Sequence, residues 1–228
     1  MSGRGLASVL RRVSTATAAR ALALGGLRWD ALCVYAIALD AFEPIGGSPE
    51  GVTVAVETVA DAPDVPAETT SATPADLVAV ASADHSTDEP AVESTDGPVR
   101  GSTEEPTVDS TESEVLGWAF ARVDSPVRVE GCVRPLAFEG AYLWGLFVEP
   151  RARSRGVGAA LAGALTDAVA RDRYGSAFAL VDRSNARSRR VFERVGYRCV
   201  DETVRVTVGG RRPPTGVVLG ARTYANTD

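Results

Sequence analysis

The chain has 228 residues, which is enough for one folded domain with extensions but cramped for two full domains. Acidic residues outnumber basic residues by 30 to 24, and because every basic residue is an arginine, a Walker A nucleotide loop, which needs a lysine, is excluded. Cys33, Cys132 and Cys199 are far apart and form no CxxC pair, which indicates neither a zinc site nor a disulfide framework and favours reduced thiols in a cytoplasm.

Residues 1–48 are predicted to form an N-terminal extension that consists of a helix and a strand. Arginines are scattered through a helical pattern up to about residue 30, and the alternation in "LCVYAIAL" then predicts a strand. The longest uninterrupted apolar run, Ala31 to Leu39, is about half as long as a membrane span. We therefore expect no membrane-spanning segment and no membrane partner.

The main domain is predicted to span residues 49–228 and to begin with "GVTVAVETVAD", whose apolar and polar residues alternate as in a strand. Within this domain, residues 64–113 are rich in Pro, Thr, Ser, Asp and Glu and have little apolar periodicity. Such a composition buries too little apolar surface to offset the entropy lost on ordering, so we predict a disordered acidic insertion. Only "ADLVAV", Ala75 to Val80, hints at a helix.

The acidic insertion carries much of the negative charge of the chain. Between Asp40 and Glu114 there are 18 acidic residues and one arginine. Such a tract is either an acidic interaction tail or a solvated surface segment. The lysine-free, acid-rich composition resembles that of proteins from salt-loving archaea, where carboxylates maintain solubility in strong salt, although a GC-rich genome would also explain the missing lysine.

Strands and helices alternate from Val115 onward. A helix is predicted from about Val157 to Arg171, and a second one runs through Val195, with Asn185 as its N-cap and Gly196 as its stop. Strands are predicted at "VLGWAFARV", "VRVEGCV", "AYLWGLFVEP", "SAFALVD", "YRCVDETVRVTV" and "TGVVLGARTY". This order predicts an α/β domain (α+β mixed sheet) with helices on the faces of the sheet.

A turn rich in arginine and glycine, "VEPRARSRGVGAAL", joins a predicted strand to the first of these helices. The first amides of a helix have no helical partner and the helix dipole adds positive charge, so such a turn binds anions. Gly156 and Gly158 allow the backbone to approach a phosphate. A dinucleotide-binding turn would need a small residue where Leu161 stands, so the R-x-x-G-x-G pattern that remains indicates another pyrophosphate ligand.

Two segments resemble the motifs of a known family. "WGLFVEPRARSRGVGAALAGAL" resembles motif A of the GCN5-related N-acetyltransferases (GNAT), whose turn binds the pyrophosphate of acetyl-CoA. "ALVDRSNARSRRVFERVGYR" resembles motif B, and the two motifs follow one another in the family's order. The resemblance covers about Val115 to Val200 and implies a GNAT-like acyl-CoA N-acyltransferase fold with acetyl-CoA as the acyl donor and no metal.

The resemblance also implies roles for individual residues. The backbone of Phe147 and Val148 would pair with the pantetheine arm, with the Val148 amide as oxyanion donor, and Asn185 would reach the cofactor from the other side. The pyrophosphate would be held by the amides of Arg153, Ser154, Arg155, Gly156, Val157, Gly158 and Ala159. These segments are alternatively an ordinary core strand, a solvated arginine turn and, at Asn185, a simple helix cap.

No catalytic acid or base is assigned from the sequence. The family's usual tyrosine falls at Phe192, which has no proton to donate, and Tyr197 normally packs into the core. The family's usual glutamate falls near Tyr142, with Glu139 before it and Glu149 after the strand. Catalytic residues therefore remain undetermined at this stage.

The sequence thus predicts an N-acetyltransferase that transfers an acetyl group from acetyl-CoA to a primary amine on a small molecule or peptide. A catalytically inactive acyl-CoA-binding regulatory module is the alternative, because Phe192 replaces the tyrosine. From Arg151 to Arg198 there are 11 arginines and four acids, which suits a polyphosphate ligand. Nucleic acid is not expected as a partner because few aromatic residues lie among these arginines, and homodimerisation stays open.

Overall fold

The computed structural model describes residues 27–44, 47–62, 71–83, 114–123, 126–129, 132, 135–208 and 222–225. Within these ranges there are ten strands and two helices. The strands are β1 (Leu27–Ala38), β2 (Val52–Thr58), β3 (Leu77–Ala83), β4 (Val115–Arg122), β5 (Val127–Val129), β6 (Leu136–Phe138), β7 (Ala141–Val148), β8 (Ser176–Asp182), β9 (Arg198–Val208) and β10 (Arg222–Tyr224), and the helices are α1 (Val157–Arg171) and α2 (Ala186–Val195).

Seven strands form the main sheet in the order β2-β3-β4-β7-β8-β1-β9. β7 and β8 run parallel, whereas the other neighbours in this sheet run antiparallel. Helix α1 connects the parallel pair, as the right-handed crossover of a β-α-β unit requires. A second sheet, in the order β10-β6-β5, completes the described fold. The mixed α/β architecture predicted from the sequence is confirmed.

Both helices cover the same face of the main sheet. In α1 the apolar residues Val157, Leu161, Leu165 and Val169 recur every four positions and are fully buried. In α2 the core side chains are Phe192 and Val195, and the helix ends at Gly196 in a left-handed conformation. The small sheet covers part of the opposite face, where Leu136 and Phe138 pack on Val34 and Phe178.

Strand β1 corrects the prediction for the N-terminal region. Residues 27–30 belong to this strand rather than to a helix, while residues 1–26 lie outside the described part of the chain. β1 pairs with β8 on one side and β9 on the other. Its side chains are buried on both faces of the sheet, with Val34 on one face and Tyr35 on the other. The strand of the predicted extension is therefore part of the main sheet.

Strand β3 corrects the prediction for the acidic insertion. Leu77–Ala83 falls inside residues 64–113, yet it is a strand between β2 and β4, and it is neither disordered nor helical. The segment "LVAVASA" contains no charge, so it can be buried between two neighbours. Before it, the buried Asp76 carboxylate accepts hydrogen bonds from Arg122 and Thr73. Residues 63–70 and 84–113 lie outside the described residues, as do residues 209–221, which include most of the predicted strand "TGVVLGARTY".

Among the described helices, neither is long and apolar enough to cross a membrane.

Candidate functional site

A gap opens in the main sheet between the two parallel strands. β7 pairs with β8 only at its first three residues, and the last pair is Leu143 with Ala179. β7 nevertheless continues to Val148 and stays paired with β4. The second half of β7 therefore presents a backbone edge that β8 does not occupy.

A β-bulge in β7 determines on which face of the sheet the side chains next to the gap lie. Trp144 pairs with Phe120 and Phe147 pairs with Trp118, so β7 has one residue more than β4 between these pairs. Gly145 in the bulge has a left-handed backbone with φ of +64°. Beyond the bulge, Phe147 stacks on Trp118 while Val148 packs against the core under the helices. Sequence reasoning missed this bulge, although a glycine inside a strand is its usual signal.

The amide of Val148 is directed toward the gap. The next amide, that of Glu149, donates a hydrogen bond of 2.9 Å to the carbonyl of Leu116 on β4. Since successive amides of a strand point to opposite sides, the Val148 amide points away from β4. On the same side, Nε of Arg153 donates to the Val148 carbonyl at 2.9 Å. This arginine fixes the end of β7 against the turn that follows.

The turn leads into the N-terminus of α1 through a short 3-10 helix, Pro150–Ala152. Gly156 is the N-cap residue, with φ of +93°, and no side chain caps the helix there. Ser154 also has a left-handed backbone, with φ of +65°, which is unusual for a residue other than glycine. The first amides of α1 are therefore available to an anion at the end of the gap.

Gly158 also lets α1 pack closely against its neighbours. A Cβ built on Gly158 would lie 3.3 Å from Cγ2 of Val191 and 3.5 Å from Cγ2 of Val148. The missing side chain thus lets α1 approach both α2 and the end of β7. Gly156, by contrast, is needed for its backbone conformation, because its Cβ would meet only Pro49, at 3.4 Å.

A cleft of about 550 Å³ lies where the gap, the turn and α2 meet. Of the residues predicted to bind the cofactor, the cleft is lined by Phe147, Val148, Arg153, Ser154, Gly156, Gly158, Ala159 and Asn185. Arg155 does not line it, and Val157 is 1% exposed with its side chain in the core. The structure therefore brings eight of the ten predicted residues together in one cleft.

The cleft is strongly positive. Besides Arg153, its described lining includes Arg187, Arg190 and Arg194, and it includes no carboxylate. These three arginines lie on one face of α2, at intervals of three and four residues. Sequence reasoning noted the charge of this region but did not separate these arginines from their neighbours, although helical spacing could have done so.

A second pocket of about 580 Å³ lies on the other side of the turn. Arg155 lines this pocket, which shares Ser154, Gly156, Ala159 and Arg194 with the cleft. Its outer wall comes from the segment between β1 and β2, where Pro44, Gly47, Ser48 and Pro49 are described. Arg155 therefore lines a separate pocket beside the same helix N-terminus.

Asn185 caps α2, and its side chain also borders the cleft. Its Oδ1 accepts a hydrogen bond of 3.1 Å from the amide of Ser188. The preceding turn is held by Asp182, whose Oδ1 accepts from the hydroxyl and amide of Ser184 at 2.6 and 2.8 Å. The hydrogen bond from the Ser184 hydroxyl is the main reason why the pKa of Asp182 lies below its ordinary value.

Two of the aromatic residues considered for proton transfer lie in the core. Phe192 is 5% exposed and packs on Tyr35 and Tyr197, with ring centroids 6.1 and 5.2 Å apart. The hydroxyl of Tyr197 lies 3.0 Å from that of Thr166, and burial raises the Tyr197 pKa well above its ordinary value. Neither ring can supply a proton to the cleft.

The other residues considered for proton transfer lie near opposite ends of β7. Glu139 and Tyr142 lie at its beginning, where β7 is still paired with β8, whereas Glu149 directly follows its end at the gap. Of these candidates only Glu149 lies at the gap end of β7, and its side chain does not line the cleft. Among the described residues, no group of three or more His, Cys, Asp or Glu side chains is arranged to hold a metal ion.

A known protein-family model matches the segment that contains this site. The model of the FR47-like protein family, which is related to the GNAT acetyltransferases, matches residues 129–206. This range contains β7, the turn, both helices and β8. The resemblance noted from the two motifs is thereby confirmed over this segment.

Solved structures are similar in fold but distant in sequence. A Drosophila protein has 14% identity and a TM-score of 0.51, and the match covers 87% of this chain and 59% of that protein. A functionally unknown conserved protein from Staphylococcus epidermidis has 11% identity and a TM-score of 0.48, covering 86% of this chain and 67% of that one. A GCN5-related N-acetyltransferase from Sphaerobacter thermophilus has 17% identity and a TM-score of 0.42, covering 89% and 58%. A search of curated proteins found no match.

Proposed function

We propose that this chain, GNAT-related over residues 129–206 and folded as a GNAT-like domain, transfers an acetyl group from acetyl-CoA to a primary amine. The observation that carries the proposal is the continuity between two features. The free edge of β7 leads directly to an uncapped helix N-terminus in an arginine-lined cleft. A long ligand with an amide-containing arm and a polyphosphate end suits this combination.

The free edge of β7 would bind the pantetheine arm. This arm contains amide groups, which can pair with strand backbone beyond Leu143 in the way that a further strand would. The amides at the start of α1 would receive the pyrophosphate, and Arg153, Arg187, Arg190 and Arg194 would supply charge-assisted hydrogen bonds. Val148 lies close to the start of α1, so its amide would pair with the arm near the pyrophosphate, and the thioester would lie further back along the free edge, toward Leu143.

The backbone of β7 can assist the transfer. When the amine nitrogen attacks the thioester carbon, negative charge develops on the carbonyl oxygen, and a backbone N–H on the free edge of β7, between Leu143 and Val148, would donate to it. As the new C–N bond forms, the C–S bond breaks and the sulfur leaves as a thiolate. A thiol has a pKa of about 8.5, so a thiolate can leave near neutral pH without a dedicated side-chain acid.

A second candidate function is the binding of acyl-CoA without transfer. It is favoured by the position of Phe192 in the core and by the absence of a carboxylate from the described lining of the cleft. Release of free thiol from acetyl-CoA in the presence of a panel of amines distinguishes the two functions. Acetyl-CoA binding without thiol release from any amine would favour the binding module.

Calorimetric titration of acetyl-CoA, in concentrated potassium chloride, tests the cofactor site directly. We expect micromolar affinity that is lost in Gly156→Glu, because a glutamate would place a carboxylate at the helix N-terminus. The matched control is Arg171→Glu, which adds a glutamate at the opposite end of α1, where Arg171 is exposed. Absence of binding to the folded protein, or equal loss in both variants, would contradict the proposal.

A further inference from the structure

Three arginines of the cleft are left without a charge partner. Arg187, Arg190 and Arg194 all line the cleft and are exposed. Within the part of the chain that the structure describes, no carboxylate and no hydrogen-bond acceptor is paired with any of their side chains. From Arg187 to Arg194 the helix rises by about 10 Å, so the three side chains form a row along one face of α2. We call these three residues the arginine row.

Neighbouring arginines are paired. Arg189 lies on α2 outside the cleft lining, where its Nε donates to the hydroxyl of Tyr35 at 3.2 Å and its Nη2 lies 3.8 Å from the carboxylate of Glu193. Just before α2, Nη1 of Arg183 donates to the carboxylate of Glu202 at 3.1 Å. The lack of partners in the arginine row is therefore specific to the face of α2 that borders the cleft.

The arginine row opposes the stability of its own helix. Residues three or four positions apart on a helix are neighbours, so Arg190 repels both Arg187 and Arg194. Arg187 also lies in the first turn of α2, where the helix dipole disfavours a cation and no acidic residue offsets the charge. Such an arrangement has a physical reason when a ligand brings negative charge to the row.

The row lies next to the anion site at the start of α1. Gly158 of α1 packs against Val191, which stands on α2 between the last two arginines of the row. Arg194 borders both the cleft and the second pocket, as do Ser154 and Gly156 in the turn. An anion held by the first amides of α1 would therefore leave the row to a second anionic group of the same ligand.

Acetyl-CoA carries a further anionic group besides its pyrophosphate. The acetyl group, the pantetheine arm and the adenine are uncharged, whereas the ribose next to the pyrophosphate carries a phosphate monoester at its 3′ position. A phosphate monoester has a charge of about −1.5 to −2 at pH 7, and its outer oxygens accept charge-assisted hydrogen bonds from guanidinium groups. The charge of this group and its position beside the pyrophosphate both suit the arginine row.

We propose that the arginine row, Arg187, Arg190 and Arg194, binds the 3′-phosphate of CoA, and that this chain therefore selects 3′-phosphorylated donors over dephospho-CoA donors. The inference rests on the proposed acetyl transfer. The start of α1 would hold the pyrophosphate, and the row would determine which nucleotide is bound tightly. Selection of the donor then takes place at the nucleotide end of the ligand, away from the reacting thioester.

The test compares two ligands that differ only in this phosphate. Calorimetry measures the Kd of acetyl-CoA and of 3′-dephospho-acetyl-CoA for the wild-type protein, at moderate and at high concentrations of potassium chloride. We expect acetyl-CoA to bind roughly tenfold more tightly at moderate salt, because three exposed charged contacts act together. This advantage should shrink at high salt, where exposed charges are screened.

Variants of α2 show whether the row causes the preference. The triple variant Arg187→Gln, Arg190→Gln, Arg194→Gln should bind acetyl-CoA more weakly and should no longer distinguish the two ligands. In thermal unfolding it should be at least as stable as wild type, since repulsion along the row is removed. The matched control is Arg189→Gln, which removes an arginine from the same helix outside the cleft lining and should leave the ratio of the two Kd values unchanged.

The outcomes separate this inference from the proposed function. If neither ligand binds to the folded protein, the proposed function fails and the inference fails with it. If both ligands bind with equal affinity, the inference is overturned while the cofactor site stands. A preference that persists in the triple variant, or one that Arg189→Gln lowers as much as Arg190→Gln does, would also overturn the assignment of the 3′-phosphate to the row.

Discussion

The ring of Phe120 occupies the space that a side chain at Gly145 would need. A Cβ built on Gly145 would lie 2.9 Å from Cδ2 of Phe120, and Gly145 also has a left-handed backbone. We expect Gly145→Ala to lower the free energy of unfolding by about 2 kcal/mol, since strain and overpacking add. Urea unfolding measures this loss.

Gly51→Ala is the matched control for that substitution. Gly51 has a nearly identical φ of +67°, and a Cβ there would meet nothing within 4 Å. It should therefore show only the backbone cost, about 1 kcal/mol. If both variants lose the same stability, the contact with Phe120 does not constrain the bulge.

Two substitutions of Asn185 can separate its role as a helix cap from its position at the cleft. Asn185→Ala should destabilise the protein by about 1 kcal/mol through loss of the cap to Ser188. Asn185→Asp keeps a good cap but adds a carboxylate to an arginine-lined cleft, so we expect wild-type stability and roughly two- to fivefold weaker acetyl-CoA binding. Thermal unfolding and calorimetry provide the two readouts, and unchanged affinity in Asn185→Asp would reduce Asn185 to a structural cap.

Replacing Phe192 by tyrosine should not create a catalytic acid. The added hydroxyl would be buried between Tyr35 and Tyr197, far from solvent, and a buried hydroxyl without a partner costs about 1–3 kcal/mol. We therefore expect Phe192→Tyr to unfold at lower urea concentration and to release thiol no faster than wild type. A rate increase would show that the ring reaches the cleft.

Asp182 should make stability depend on pH in acid. Its pKa is lowered in the folded state, so its hydrogen bonds to Ser184 contribute stability above the unfolded pKa, near 3.8, and this contribution is lost as pH falls through the folded value. At pH 7, Asp182→Asn should be less stable than wild type by about 1 kcal/mol, and the difference should shrink below pH 3.8. Urea unfolding at pH 7 and pH 3 tests this. A stability difference that grows in acid would mean that the Asp182 carboxylate destabilises the folded state, which would contradict this prediction. The control is Asp172→Asn, just after α1.

Local signals predicted the C-terminal half well. The bounds of α1, the cap at Asn185 and the stop at Gly196 follow from periodicity and capping chemistry, which act within a few residues. The turn from Arg153 to Ala159 was predicted as an anion site for the same local reason, and the structure places it at the end of the gap. Cofactor binding, acceptor choice, the dimer, the salt adaptation and the cytoplasmic location stay predictions.

Features that depend on distant pairing were missed. β3 lies inside an acidic, turn-rich region, and its order comes from being paired on both sides, by β2 and by β4. The bulge at Gly145 is defined only by its register with Phe120 and Trp118. Alternation within "LCVYAIAL" predicted a strand but could not show which strands would flank it, since that depends on residues far along the chain.

The position of β1 determines when the sheet can be completed during synthesis. β1 leaves the ribosome first among the described strands, yet both of its neighbours, β8 and β9, are made well over a hundred residues later. Until then its backbone groups and apolar side chains have no place in the sheet, and they are available to chaperones or to other nascent chains. Contacts so distant in sequence slow folding more than they lower final stability. Chain order thus makes the β8-β1-β9 side of the finished sheet the last part to close.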